Sequence, residues 1–468
     1  MKKNYTFLFL LFGALPMVAQ QLVSSTYLKT YPVSYFVQEF GLFASYDVDQ
    51  YRIIYTSKEV DGAPTTVSGL VCLPKVKTSG YPMLVYQHGT AGSRTEVPGY
   101  ESFEGLLPSI FSSLGFISIA PDYLGLGVDT GIHPYVHAAS ESWVAQHMLS
   151  ATLQFLDEKG YNTTKDLFFT GYSQGGHASM AFHRSMEANN MGFDLKAASH
   201  MSGPYSISTG MKQLLISDEA YGTVAYIALV ALGYNEVYGI FPQNNMRNFF
   251  KEEYAQLIDR FVAGQDDLWE LNDKLIAKLT SQYGLAQPKK MLLDNVLNDI
   301  LTNDNHPVNL ALKDNDVYDW APTIPTRLLY CKADEQVAYT NSIIAEAKMK
   351  QNGSTTVSAI DVNPNGSHSS CVSPAITSTL FFFLGFQQLS ATQEVLPWID
   401  VYPNPVADYF YVNGENLEGV NLIDMSGNVM TPSFSGNIVN VSDLPSGIYL
   451  GLLKFANGVT SRTKIVVR

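Results

Sequence analysis

Ser173, Asp334 and His368 lie far apart in the chain, yet these three residue types together can turn a hydroxyl into a nucleophile. A serine hydroxyl attacks poorly at neutral pH. It needs a base to take its proton and a carboxylate to hold that base in one tautomer. Ser173 stands at the centre of Gly171-Tyr172-Ser173-Gln174-Gly175, after the apolar run Leu167-Phe168-Phe169-Thr170 and before Gly176-His177-Ala178-Ser179. A buried strand turning sharply into a helix, with serine at the apex between glycines, pushes its hydroxyl towards a substrate. A chain with 35 glycines can hold such a pentapeptide as a plain flexible turn. The strand before it and the small-residue helix after it favour the chemical reading.

The acid and the base follow from chain order, which runs nucleophile, acid, histidine when a serine sits on this kind of turn. Asp334 opens the loop Lys332-Ala333-Asp334-Glu335 after the apolar run 326–331, and His368 lies in Asn365-Gly366-Ser367-His368-Ser369-Ser370 after the run 355–362. Glu335 is the neighbouring competitor for the acid. Asp361 falls inside a strand, and Asp314, Asp316 and Asp319 precede a strand, at its wrong end. His200 reads as strand, and His177 and His183 as helix. His133 and His137 precede Ser173 and are expected to make structural hydrogen bonds, while Asp122 reads as a loop organiser. Charge developing on a substrate oxygen needs preorganised donors. The backbone amide of Gln174, at a helix N-terminus, and that of Thr90, in His88-Gly89-Thr90-Ala91-Gly92, are the candidates.

The elements that must hold these residues read as α/β. Runs 51–56 and 66–73 alternate as a hairpin across Asp61-Gly62-Ala63-Pro64. Short continuous apolar runs at 83–87, 116–120, 167–170, 197–201, 326–331 and 355–362 suit a mostly parallel central sheet flanked by helices. Between 205 and 321 the rhythm breaks into helices, with segments at 251–260, 268–279 and 291–301. An insertion there predicts a helical lid. Its part at 224–232 is apolar all round, as expected of a buried cap helix that walls the site.

The chain has 468 residues, 46% apolar and 15% charged, enough to bury a sizeable core beside a smaller second unit. A net charge of −14, without a Lys/Arg run, argues against nucleic acid as partner. Residues 1–19 read as a signal peptide: Lys2 and Lys3, an apolar stretch, then Met17-Val18-Ala19 before Gln20. The first of three cysteines is Cys72, so none near the cut can carry a lipid. Cys331 and Cys371 flank the acid and the base, and whether they bridge stays open; no cysteine spacing suits a metal. Residues 20–390 are the expected main domain and 391–398 a linker. From 399 to 468, short alternating runs between Gly and Asn turns predict a small all-β sandwich, without the pattern of an exposed aromatic platform.

Two resemblances follow. Tyr402-Pro403-Asn404-Pro405, Asp424-x-x-Gly427, Leu444-Pro445-x-Gly447-Ile448-Tyr449 and the terminal Lys464-Ile465-Val466-Val467-Arg468 resemble the C-terminal sorting domain of the Bacteroidetes type IX secretion system. That implies recognition by the type IX machinery and a secreted or surface-attached product. His88-Gly89-Thr90, Pro121-Asp122-Tyr123-x-Gly125-x-Gly127, Gly171-Tyr172-Ser173-Gln174-Gly175-Gly176 and the helical insertion resemble the secretory lipase/esterase branch of the α/β-hydrolases. The resemblance covers roughly residues 27–389. It implies hydrolysis of carboxylic esters, with an acyl or lipid-like portion, through an acyl-serine and without a cofactor. Fungal members carry more disulfides, so substrate size and lid detail do not carry over. A serine peptidase of the same fold is the second reading, although no carboxylate pair or propeller is evident to grip a peptide terminus. A surface binding protein that does no chemistry is the third, and it would not require serine, aspartate and histidine together.

Overall fold

The computed structural model describes residues 21–40, 44–78, 80–387, 399–414, 416–424, 429–456 and 460–468. The expected signal peptide (1–19) and linker (391–398) lie outside these residues, as does Gly427 of the tail phrases. Nine strands form one sheet: β1 (Leu22–Tyr31), β2 (Val48–Lys58), β3 (Pro64–Pro74), β4 (Tyr81–Gln87), β5 (Ile117–Pro121), β6 (Thr163–Tyr172), β7 (Asp194–Met201), β8 (Thr326–Tyr330) and β9 (Val357–Asp361). Their spatial order is β1-β2-β3-β5-β4-β6-β7-β8-β9. The six strands from β5 to β9 run parallel, and β1 to β3 add an antiparallel edge.

The central strands are apolar throughout because both of their faces are covered. Met83, Val85, Leu167 and Phe169 pack with Val144, Met148 and Phe155 of the helix Ala138–Lys159. Their alternates Leu84, Tyr86 and Phe168 pack on the other side with Phe111 and with Ile376 and Phe383 of the helix His368–Leu384. The period of two thus divides each run between two cores. Every strand expected from the sequence is present. β1 was not foreseen: most of its side chains are exposed or half-buried, so an edge strand writes no hydrophobic pattern.

The stretch between β7 and β8 is helical, as expected, with helices Ala225–Tyr238, Glu252–Val262, Leu268–Tyr283, Asp294–Thr302 and Pro307–Asp314. Its one sheet-like contact among the described residues is a single bridge from Phe250 to Leu292. Leu268–Tyr283 starts at a capping box in which Asp267 and Glu270 satisfy each other's amides. The insertion owns a hydrophobic core, in which Leu229, Leu232, Tyr254, Ile258, Leu271 and Leu275 meet.

In the tail, strands Val401–Tyr402, Tyr409–Val412, Ile438–Asn440 and Phe434–Ser435 form one antiparallel sheet. Val429–Met430, Leu417–Asp424, Gly447–Phe455 and Thr460–Val467 form a second. Phe410, Leu422, Val439, Leu453 and Ile465 fill the space between them. Two of the tail phrases meet physically. Val406 N–H donates to Val466 O at 2.8 Å, Arg468 N–H to Val406 O at 2.8 Å, and Val466 N–H to the Asn404 side chain at 2.9 Å. One expectation is corrected here: Tyr402, Tyr409 and Tyr411 are 60, 52 and 43% exposed on one sheet face, and the Tyr402 and Tyr411 rings stack 5.4 Å apart.

Candidate active site

β6 ends at Tyr172 and the helix Gln174–Ala188 begins two residues on, leaving Ser173 at φ 60°, ψ −123°. L-residues avoid that conformation, and strained backbone of this kind collects at functional sites. Three hydrogen bonds hold it: Ser173 N–H to Met201 O (3.0 Å), and Gly176 N–H and His177 N–H to Ser173 O (2.8 and 3.3 Å). Glycine is required for closeness. A Cβ on Gly175 would lie 1.9 Å from Gln87 O, so the end of β4 passes directly beneath the turn. That brings Gly89 beside the serine: a Cβ there would sit 3.9 Å from Ser173 Cβ.

The structure brings the other two candidates onto the same hydroxyl. His368 Nε2 lies 2.9 Å from Ser173 Oγ, and His368 Nδ1 lies 2.7 Å from Asp334 Oδ2. Asp334 Oδ1 accepts the N–H groups of Gln336 (3.0 Å) and Val337 (2.9 Å), which fixes the carboxylate plane. With an acceptor at Nδ1, the imidazole carries its proton there and turns its Nε2 lone pair to the serine. Ser173, Asp334 and His368 are 6, 8 and 7% exposed, so the chain of bonds is shielded while the hydroxyl stays reachable. His368 is the first residue of the helix His368–Leu384, capped by Ser367. Tyr172 O–H holds its carbonyl at 2.5 Å, and Glu335 Oε2 accepts its N–H at 3.0 Å. Glu335, the competing acid, therefore grips the backbone and not the ring. Cys331 and Cys371 are joined, tying the end of β8 to the first turn of that helix.

The two expected donors lie on the turn itself and on the loop after β4. Gln174 N–H, the first of its helix, has no partner four residues back. Thr90 N–H meets no protein acceptor among the described residues, and Thr90 Oγ1 pairs with Tyr135 O–H at 2.8 Å. The Gln174 side chain is clamped: Nε2 donates to His133 Nε2 (2.8 Å) and to Glu141 Oε1 (2.9 Å). Glu141 Oε2 in turn accepts from His177 Nδ1 at 2.8 Å, with both residues fully buried. His133 makes structural hydrogen bonds, as expected, but one of them reaches Gln174, the residue after the candidate nucleophile. Glu141 went unread, since one glutamate in a long helix carries no signal of its depth. Asp122 organises its loop, accepting from Ser68 Oγ (2.6 Å) and Gly99 N–H (2.7 Å).

His88, under the Thr90 loop, is wholly buried between Gly89 O, Asp122 O and the Tyr123 ring, and burial pushes its pKa down to about 3. The unfolded imidazole takes up a proton near pH 6.5 and the folded one does not. Stability is therefore full above that value and falls as pH drops towards 3. By pH 4.5 this one residue costs about 3 kcal/mol. Burial also lowers the pKa values of His133, His147, His183 and His200, so urea unfolding at pH 7.5 and 4.5 is expected to show at least that loss, and His88→Gln to remove this residue's share of it.

Ser173 and Gln174 help line an apolar cavity that opens to solvent. Tyr226, Ile227 and Val230 of the insertion and Val337 beside Asp334 line it. The all-apolar segment expected as a wall over the site thus lines the cavity.

Comparisons with known proteins fit this architecture. Residues 400–468 match the secretion system C-terminal sorting domain. No curated protein matches the chain. Among solved structures, a candidate hydrolase from Legionella pneumophila aligns at TM-score 0.71 and 22% identity, over 80% of this chain and 100% of that one. The ligand-bound rice cell wall degrading esterase LipA from Xanthomonas oryzae aligns at 0.66 and 25%, over 80 and 99%. Closed Candida antarctica lipase A aligns at 0.58 and 12%, over 78 and 81%. The main domain thus has the α/β-hydrolase fold that esterases and lipases share, and the chain ends in a secretion system C-terminal sorting domain of the type IX kind.

Proposed function

We propose that this protein is an exported serine esterase that cleaves carboxylic esters with an apolar acyl portion, through an acyl-serine intermediate. One observation carries the reading: the unbroken chain Asp334–His368–Ser173, at 2.7 and 2.9 Å, ends at the wall of an apolar cavity. Ser173 Oγ attacks the ester carbonyl while His368 Nε2 takes its proton. The amides of Gln174 and Thr90 receive the oxyanion. His368 then returns the proton to the leaving alcohol, and a water activated by the same nitrogen releases the acid. Asp334 orients the imidazole and stabilises its charge. The insertion serves as a lid whose inner wall holds the acyl chain. Residues 1–19 serve as the export signal, and the tail hands the protein to the type IX machinery.

A series of 4-nitrophenyl esters from acetate to palmitate tests this. Turnover with a chain-length optimum is expected, and Val230→Trp, which fills the cavity, is expected to move the optimum to shorter acyl groups. A folded protein that hydrolyses no member of the series refutes the reading.

A further inference from the structure

The loop that carries Asp334 is bonded to the insertion through Gln336. Gln336 donates its N–H to Asp334 Oδ1 at 3.0 Å, on the side of the carboxylate that His368 does not use. The same residue takes two hydrogen bonds from the insertion. Tyr221 O–H donates to its carbonyl at 3.0 Å, and Tyr226 O–H to its side-chain oxygen at 3.1 Å. Both tyrosines are nearly buried and both line the apolar cavity, as does Val337, the other amide on Asp334. Apart from the Thr90 hydroxyl beside Tyr226, a phenol held in this apolar wall has few other acceptors, so its bond to Gln336 is directional.

We propose that Gln336 is a positioning residue. It couples occupancy of the apolar cavity to the orientation of Asp334, so that an acyl group filling the cavity completes the site. An apolar group packed against the Tyr221 and Tyr226 rings holds their hydroxyls on Gln336. Gln336 then keeps its amide on Asp334 Oδ1, and Asp334 keeps His368 aimed at Ser173. A short acyl group that leaves the cavity empty leaves those rings unbraced. Cavity filling therefore raises kcat, beyond any gain in binding. A displacement of the acid by a fraction of an ångström is enough to be read in the rate, since reacting groups misplaced by 1 Å can lose roughly a hundredfold.

This rests on the esterase reading, and the test separates the two. Gln336→Ala removes the acceptor of Tyr226 but keeps both backbone bonds, and Tyr226→Phe removes the donor but keeps the ring in the wall. Each is expected to lower kcat for long-chain esters roughly tenfold with little change in KM. Each should also abolish the rise in kcat with chain length. The acid limb of the kcat/KM profile should move to lower pH, because a less well held aspartate stabilises the imidazolium less. The double variant is expected to fall no further than either single one, since both break the same bond. Additive losses, or an unchanged kcat and pH profile in Gln336→Ala, overturn the proposal. Alkyl fluorophosphonates with a methyl or a dodecyl chain read the nucleophile without an ester: Ser173 Oγ bonds to phosphorus, fluoride leaves, and His368 takes the serine proton. Labelling at Ser173 without ester turnover refutes the esterase reading alone, and faster labelling by the dodecyl than by the methyl probe, lost in Gln336→Ala, then still supports the coupling. Equal labelling of the two proteins by the dodecyl probe refutes the coupling, and no labelling of the folded protein refutes both.

Discussion

Ser173→Ala is expected to lower kcat for the best ester by roughly a millionfold, with the fold unchanged. The change removes one oxygen at a position 6% exposed, whose side-chain bond is the one to His368 Nε2 at 2.9 Å. The backbone strain at φ 60° is the same for alanine, so the turn persists. Residual turnover should remain above water, because the Gln174 and Thr90 amides and the cavity still bind the ester. His368→Ala should match Ser173→Ala, and the double variant should fall no further, since the two residues act as a unit.

Asp334→Asn separates the acid's role from its shape. Asp334 Oδ1 accepts two amides, so an asparagine would keep its oxygen there and turn its NH₂ to His368 Nδ1. Nδ1 would then have to accept, moving the ring proton to Nε2 and leaving nothing to receive the serine proton. A loss of roughly ten thousandfold is expected. Thermal unfolding and near-ultraviolet circular dichroism, measured beside kcat, would show whether the fold is intact. Activity within tenfold of the unsubstituted protein in any of the three single variants would refute their assigned roles.

The serine was legible in the sequence because the signature of its turn is local: an apolar run, Gly-x-Ser-x-Gly and a small-residue helix all fall within about fifteen positions. The meeting of Asp334 and His368 at Ser173 was legible through order alone, as loops at the ends of the two last strands. The groups that support them were not. Glu141 reaches Gln174 from the neighbouring helix on the same flank of the sheet, 33 positions earlier, and Tyr226 reaches Gln336 across 110 positions. Such contacts leave no spacing to read. The tail shows a different kind of blindness. Tyr409-Phe410-Tyr411-Val412 is apolar or aromatic at every position, so hydropathy cannot say which alternate set faces out. The fold puts Phe410 and Val412 inside and Tyr409 and Tyr411 outside, exposing the aromatic face that the pattern hid.

Breaking the Cys331–Cys371 bond is expected to lower both stability and activity, and activity by more. Closing a 40-residue separation removes about 4 kcal/mol of chain entropy from the unfolded state in the loop-closure account. In a domain of this size that corresponds to about 5 °C in Tm. The bond also has a local consequence. Cys331 stands three residues before Asp334 and Cys371 three residues after His368, so the bridge clamps the roots of the two loops whose side chains meet at 2.7 Å. Without it, Tyr172 O–H and Glu335 still hold the His368 backbone, and the loops retain their fold but lose part of their mutual register. Cys72 does not confuse the experiment: it is buried, and burial pushes its thiol up to about 12, so it neither attacks nor exchanges at neutral pH. Cys331→Ser/Cys371→Ser should therefore unfold about 5 °C earlier, yet lose at least tenfold in kcat well below its Tm. A variant that keeps full kcat while losing only stability would show that the bridge staples the fold and leaves the meeting of Asp334 and His368 to the hydrogen bonds around them.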